Sequence, residues 1–164
     1  MRKELALPVG IGLVVVAIAV AGILYMQRGA HIEIVGSVLK VRTLELDENS
    51  SLAVVDFRFT NPADYAFVVS KVDVLMEDEA GKKYDSSTIS ETDARRVFEY
   101  HKLLGPKFNE SLLLKDKVEP KQSQDRMIAA RFEAPEARLQ ARKRLILRIE
   151  EIDGPVSEIV EVRK

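Results

Sequence analysis

The stretch DFRFTNPADYAFVVSKVDVLMEDEAGKKY, residues 56–84, decides the fold. Extended leftward to LAVVDFRF, its first part puts Ala53, Val55, Phe57 and Phe59 on one face and Asp56, Arg58 and Thr60 on the other. A period of two is the signature of a half-buried strand. The second part, VVSKVDVLME, points Val68, Val72, Val74 and Met76 inward against Lys71, Asp73 and Glu77 outward. Taken together the two runs are expected to be neighbours in one antiparallel sheet. Between them stands Asn61-Pro62-Ala63-Asp64. Proline fixes φ near −65° and lacks an amide hydrogen, and a preceding Asn bonds backbone two residues on, so Asn61 and Pro62 are assigned to a structural turn. The tetrapeptide Glu79-Ala80-Gly81-Lys82 then turns the chain back into Lys83-Tyr84-Asp85, because Gly takes φ > 0 without a steric penalty.

Working outward, MIAARFE aims Ile128, Ala130 and Phe132 one way, and KRLILRIEEI aims Leu145, Leu147 and Ile149 one way with Arg144, Arg148 and Glu150 the other. First and last strands are expected over residues 35–46 and 157–162, with a less clearly patterned one over 111–118. About seven strands predict an antiparallel, immunoglobulin-like β-sandwich. One segment breaks the rhythm. STISETDARRVFEYHKLLGP spaces Ala94, Val97, Phe98, His101 and Leu104 for a helix, with Thr88 or Ser90 as N-cap, Glu91 or Asp93 completing a capping box, and Gly105-Pro106 as the stop. A helix over residues 90–104, inserted between the halves of the sandwich, follows.

Residues 5–27 carry no charge. At 1.5 Å per residue the run covers roughly 34 Å, enough for a hydrocarbon layer of ~30 Å. Arg2 and Lys3 precede it and Arg28 follows, a bias that keeps the N-terminus in the cytoplasm and the rest of the chain outside it, in the periplasm of a two-membrane bacterium. The rival is a cleaved signal peptide ending near Ala19-Val20-Ala21, against which Ile23-Leu24-Tyr25-Met26 continues the apolar run. The expected organisation is a stub and single-pass transmembrane anchor over 1–28, a short tether over 29–34, and the sandwich over 35–164.

Twenty-five Lys+Arg balance 26 Asp+Glu for a net charge of −1. No basic face for phosphates follows from that balance, so nucleic acid is not an expected partner. Zero cysteines exclude disulfides, thiolate metal sites and a cysteine nucleophile. His31 and His101 lie far apart with no Cys to complete a metal set, and His101 is read as a half-buried helix residue. Glu77-Asp78-Glu79 lacks the spaced oxygens of a Ca²⁺ loop. Ser86 and Ser87 have no nucleophile elbow, and no Gly-rich phosphate cradle occurs. The expectation is therefore a non-enzymatic chain with no catalytic residue, no metal, no cofactor and no identified small-molecule substrate.

The strand ending in Asn-Pro, the following FVVSKVDVLM, EPKQS before RMIAARFE, and the terminal LILRIEEIDG together resemble the water-stress and hypersensitive-response domain of late embryogenesis abundant type 2 proteins. The resemblance covers most of residues 35–162 and implies an immunoglobulin-like sandwich with a role in stress tolerance or membrane-associated scaffolding. Ala63 stands where the family commonly has a second Asn, and the helix is not part of its usual pattern.

Two surfaces are candidates for binding. The first is the wet side of the helix, Arg95, Arg96, Glu99 and Lys102. The second is Arg142, Arg144 and Arg148, placed on one strand face, with Glu133, Glu136, Glu150 and Glu151 available to neutralise it. The reading that follows is a membrane-anchored, protein-binding or envelope scaffold module whose partner is another envelope protein. The alternatives are a stress-protective module and an envelope enzyme or sugar-binding module.

Overall fold

The computed structural model describes residues 6–27, 33–152, 154 and 156–163. The N-terminal stub, Arg28 and residues 29–32 of the tether lie outside them. The chain divides into two compact units, Met1–His31 and Ile32–Lys164. In the first, helix α1 spans Ala6–Gln27, 22 residues with no acidic residue in its first turn and no basic one in its last. Its side chains are described over residues 12–23. Among the described residues no helix is long and apolar enough to cross a membrane, so the anchor expected over 5–27 is taken up below as a proposal.

The second unit runs β1 (Val35–Asp47), β2 (Ser50–Thr60), β3 (Phe67–Glu77), β4 (Lys83–Tyr84), β5 (Ser87–Thr88), α2 (Glu91–Tyr100), a 3₁₀ turn (Lys102–Leu104), β6 (Lys117–Val118), β7 (Ser123–Phe132), α3 (Glu136–Gln140), β8 (Arg144–Glu151) and β9 (Val156–Val160). Its strands form two antiparallel sheets, ordered β1-β2-β7-β5 and β4-β3-β8-β9, with β6 paired to the start of β3. The core lies between them: Ala53, Val55, Phe57 and Phe59 meet Val69, Val72, Val74 and Met76, with Ile128, Ala130 and Phe132 facing Leu145, Leu147 and Ile149.

Here one expectation is overturned. β2 and β3 are not sheet neighbours; they lie in opposite sheets. The reason is visible in β2, where every residue from Ser50 to Phe57 is buried. A strand so buried leaves no backbone edge to water, and β1 and β7 pair both edges of β2 along its length, so none is left for β3. The segment between β2 and β3 must then carry the chain across the sandwich, a step of ~10 Å between sheets. Asn61 holds that crossover. It is fully buried, its Nδ2 donates to the carbonyls of Tyr65 (2.8 Å) and Val118 (3.1 Å), and its Oδ1 accepts from the Ala63 amide (3.0 Å). The Asn61 amide bonds Gln122 O, so the crossover is tied to the loop before β7.

Other expectations change in detail. The β3–β8 register slips between Val69 and Lys71, and this bulge reverses the parity of the strand start. Val69, not Val68, therefore enters the core. The strand expected over 111–118 reduces to a parallel bridge between Ser111 and Met127 and to the two residues of β6. A second short helix, α3, joins the single helix expected. Ile34, assigned to the tether, is buried and donates its amide to Ser157 Oγ at 3.0 Å. Beside it Gly36 lets β1 lie close to β9: a Cβ there would collide with Ile159 Cδ1 of the second sheet and meet Arg58 O of the neighbouring strand at 2.6 Å.

Candidate interaction surface

The helix settles as α2 over Glu91–Tyr100, shorter than the sequence suggested. Ser90 Oγ accepts the Asp93 amide at 3.1 Å as N-cap, and Glu91 and Asp93 place negative charge at the positive end of the helix dipole. The α-helix stops at His101, whose amide bonds Val97 O. One 3₁₀ turn follows, and Gly105 at φ 73° redirects the chain. His101 is exposed, not half-buried.

What α2 covers explains why β2 is buried twice. Ala94, Phe98 and Leu104 pack on Leu52, Val54, Met127 and Ala129, forming a second apolar cluster on the outer face of the first sheet. The helix is thus a third layer on the flank of the sandwich, and it does not plug its end.

A buried polar group fastens this layer, and sequence reasoning missed it. Arg42 on β1 pairs with Asp56 on β2, Nη2 to Oδ2 at 2.7 Å, with both side chains under a tenth exposed. Arg42 Nη1 donates to Leu104 O (3.0 Å) and Pro106 O (2.8 Å), and Asn109 Nδ2 donates to Asp56 Oδ1 (2.8 Å). The guanidinium also lies 4.9 Å from the Phe98 ring centroid and 5.1 Å from that of Phe108. Asp56, expected on the wet face, is 3 % exposed. The available signal was Leu52 and Val54, apolar residues on a face otherwise assigned to water. Farther along, Lys107 Nζ joins Glu91 (2.5 Å) to Glu110 (2.9 Å), linking the helix start to the loop. Burial pushes the Glu91 carboxyl up, but its bonds to Lys107 and Ser111 outweigh this and hold it below the usual range.

Outward from this scaffold, Arg95, Arg96, Glu99 and Lys102 are all exposed. Arg96 makes one long ion pair, 3.6 Å to Asp93. Arg95, Glu99 and Lys102 line a shallow groove of about 390 Å³ with Phe98 and Pro106. Tyr100 at 81 % and Leu103 at 100 % exposure stand at the helix end. Arg95, Arg96 and Glu99 thus lie on the wet side of α2, and Lys102 follows on the 3₁₀ turn.

The second candidate surface keeps Arg144 and Arg148, partly exposed at positions of one parity on β8, but not Arg142. Arg142 lies after α3, outside β8, and is 6 % exposed. Its guanidinium is bound by Glu161 at 2.6 Å and by Leu139 O at 2.8 Å. Arg144 grips buried Glu77 at 2.8 Å, joined by Lys143 at 3.3 Å, while Arg148 pairs with Glu158 at 3.2 Å. Arg144, followed by Lys143, holds the Glu77 carboxyl below its ordinary range despite its burial. The carboxylates that bind these three arginines are Glu161, Glu77 and Glu158. Among the described residues no group of three or more His, Cys, Asp or Glu is placed to hold a metal ion.

No family model matches this chain, and no curated protein does. Two solved structures are similar to it. One is an uncharacterized β-sandwich protein from Clostridium difficile 630, with 12 % identity, TM-score 0.39, and coverage of 80 % of this chain and 86 % of that one. The other is the Iho670 flagellar-like filament, with 11 % identity, TM-score 0.34, and coverage of 94 % and 97 %.

Proposed function

We propose that the chain is a single-pass, membrane-anchored module, displayed outside the cytoplasm, that works by binding another envelope protein and carries out no catalysis. The observation that carries the reading is the uncharged run that folds as α1. Twenty-two residues of helix extend roughly 33 Å, close to the ~30 Å thickness of a hydrocarbon core. Arg2 and Lys3 before the run, against Arg28 after it, favour a cytoplasmic N-terminus. Read in chain order with β4 as the accessory strand, the sheets follow the ABED and C′CFG arrangement, which supports an immunoglobulin-like assignment, a scaffold whose sites are grafted on by its connections. Here the graft is α2 with its loop, the face proposed to meet the partner.

Two measurements test this. A reporter fused after Lys164 is expected to read outside the cytoplasm, with the mature N-terminus intact; a new terminus near Gly22 would replace the anchor with a cleaved leader. Crosslinking of full-length protein in its membrane is expected to capture a partner, and the double reversal Arg95→Glu/Arg96→Glu is expected to weaken capture while changing stability by no more than about 0.5 kcal/mol, because both side chains are exposed. Undiminished capture by that variant removes α2 from the binding role.

A further inference from the structure

The two ends of the sandwich differ in a way that the protein-binding reading leaves unused. β1 begins, β2 ends and β7 begins at one end, where Val35 pairs with Thr60 and Thr60 with Ser123. β3 begins, β8 ends and β9 begins there too, since Val69 pairs with Glu151 and Glu150 with Val156. The bond from Ile34 N to Ser157 Oγ brings the first residues of β1 beside the first residues of β9. This is the end at which the chain enters the sandwich from its N-terminal segment.

Exposed apolar side chains gather on the same end: Val35 at 65 %, Tyr65 at 44 %, Ile152 at 57 % and Val156 at 42 %. They sit on bonded backbone. Tyr65 O is held by Asn61, and Ile152 N bonds Val68 O. Two lysines of this end are paired, Lys117 with Glu119 at 3.0 Å and Lys121 with Asp64 at 3.1 Å, while Lys115, whose amide bonds Val69 O, is exposed. The hairpin turns of the opposite end, residues 47–49 and 78–82, read Asp-Glu-Asn and Asp-Glu-Ala-Gly-Lys. One end is therefore tipped with a tyrosine and three aliphatic residues beside mostly paired lysines, and the turns of the other with charge, where Leu46 and Val162 are the exposed aliphatic residues.

Resting on the anchored reading, we propose that the end carrying Val35, Tyr65, Ile152 and Val156 lies against the headgroup layer of the bilayer. The occupant follows from the covalent chain. Only residues 28–33 separate the uncharged run from Ile34, and a fully extended link of that length reaches at most roughly 25 Å. The effective concentration of membrane at this end is therefore high, and weak contacts that would fail between free partners suffice. Tyrosine favours the interface, where its ring is buried among headgroup and upper acyl carbons while its hydroxyl stays wet. Because Lys117 and Lys121 are paired and Lys115 alone offers an exposed cation there, the contact depends chiefly on apolar insertion and does not require anionic lipid.

The absence of cysteine makes the test clean. Single-cysteine variants Tyr65→Cys, Ile152→Cys, Glu79→Cys and Leu103→Cys of the full chain, each labelled with an environment-sensitive fluorophore, are reconstituted in bilayers containing lipid quenchers. The expected result is severalfold stronger quenching at 65 and 152 than at 79 and 103, equal in zwitterionic and anionic bilayers. Uniform quenching at all four positions, or the strongest at 103, overturns the proposal. So does quenching at 65 and 152 that requires anionic lipid. Alkaline extraction separates the two readings: protein released from the bilayer removes the anchor and this contact with it, whereas retained protein with uniform quenching removes the contact alone.

Discussion

Replacing Arg42 by Met removes a cation from a site where little water can take its place. Five groups lose their partner together. Asp56, 3 % exposed, keeps only the Asn109 amide, the carbonyls of Leu104 and Pro106 lose their donor, and Phe98 and Phe108 lose the guanidinium against their rings. Removing one partner of a buried ion pair costs about 3–5 kcal/mol, chiefly because the other charge is left uncompensated. Since domains of this size are stable by ~5–15 kcal/mol, the variant should still fold, with a large fraction of its margin gone. Urea unfolding followed by circular dichroism reads the total. Amide exchange locates it: protection should fall over residues 91–104 before it falls in β2 and β7. A second variant apportions the loss. Arg42→Met combined with Asp56→Leu no longer buries a lone charge and should recover part of the stability, but not all, because two carbonyls still lack a donor at about 1–3 kcal/mol for each that stays dry. A loss below about 1 kcal/mol for Arg42→Met, of the size seen for exposed pairs, would refute the argument and leave apolar packing as the sole fastening of α2.

The crossover residue gives a second expectation: Asn61→Ala removes bonds to Tyr65 O, Val118 O and the Ala63 amide and should cost about 2–3 kcal/mol at roughly 1 kcal/mol per bond, read as a fall in the urea midpoint with partner capture unchanged in the folded protein. The third concerns acid. Arg144 and Lys143 depress the folded-state value of Glu77 below its unfolded value of 4.5, so its contribution is present above pH 4.5 and is lost as pH falls through the folded value. Glu77→Gln should therefore destabilise at neutral pH and flatten the stability–pH curve below 4.5, and an unchanged acid limb would mean that the ion pair is not formed in solution.

The alternation of β2, β7 and β8 was legible because each strand presents one face to a single core, and a period of two survives whatever lies on the other face. The same simplicity misled at β2 and β3. Their adjacency in sequence suggested a hairpin, whereas pairing is decided by how many sides of a strand need a neighbour, and that depends on β7, far along the chain. Val69 was lost to a bulge, which shifts parity without any mark in composition. The exposed residues of α2 were readable from helical spacing, since a helix on a sheet has one wet side. Arg42 and Asp56 were not, because a buried pair and two solvated surface charges are spelled by the same residues. Arg142 failed for the converse reason: the carboxylate that takes it, Glu161, comes from the chain end beyond β9, 19 positions away, and no spacing rule links the two.

The order of the strands also sets the sequence of events by which the molecule comes into being. Ser51 pairs with Phe132, and Glu77, 67 positions before Arg144, meets it across the second sheet. β2 and β3, the most thoroughly buried strands, are thus made early and completed late. A chain delivered N-terminus first holds both without their central partners until β7 and β8 have arrived. Pairings this distant in sequence place a β domain among slow folders, milliseconds to seconds, because loop-closure entropy is spent before any contact returns it. During that interval the cheap, local β1–β2 hairpin is the only ladder of the first sheet that can form, and it leaves the β7 side of β2 as an open edge. The feature that gives the finished sandwich its closed core is, for the nascent chain, a period of vulnerability to pairing with the wrong strand.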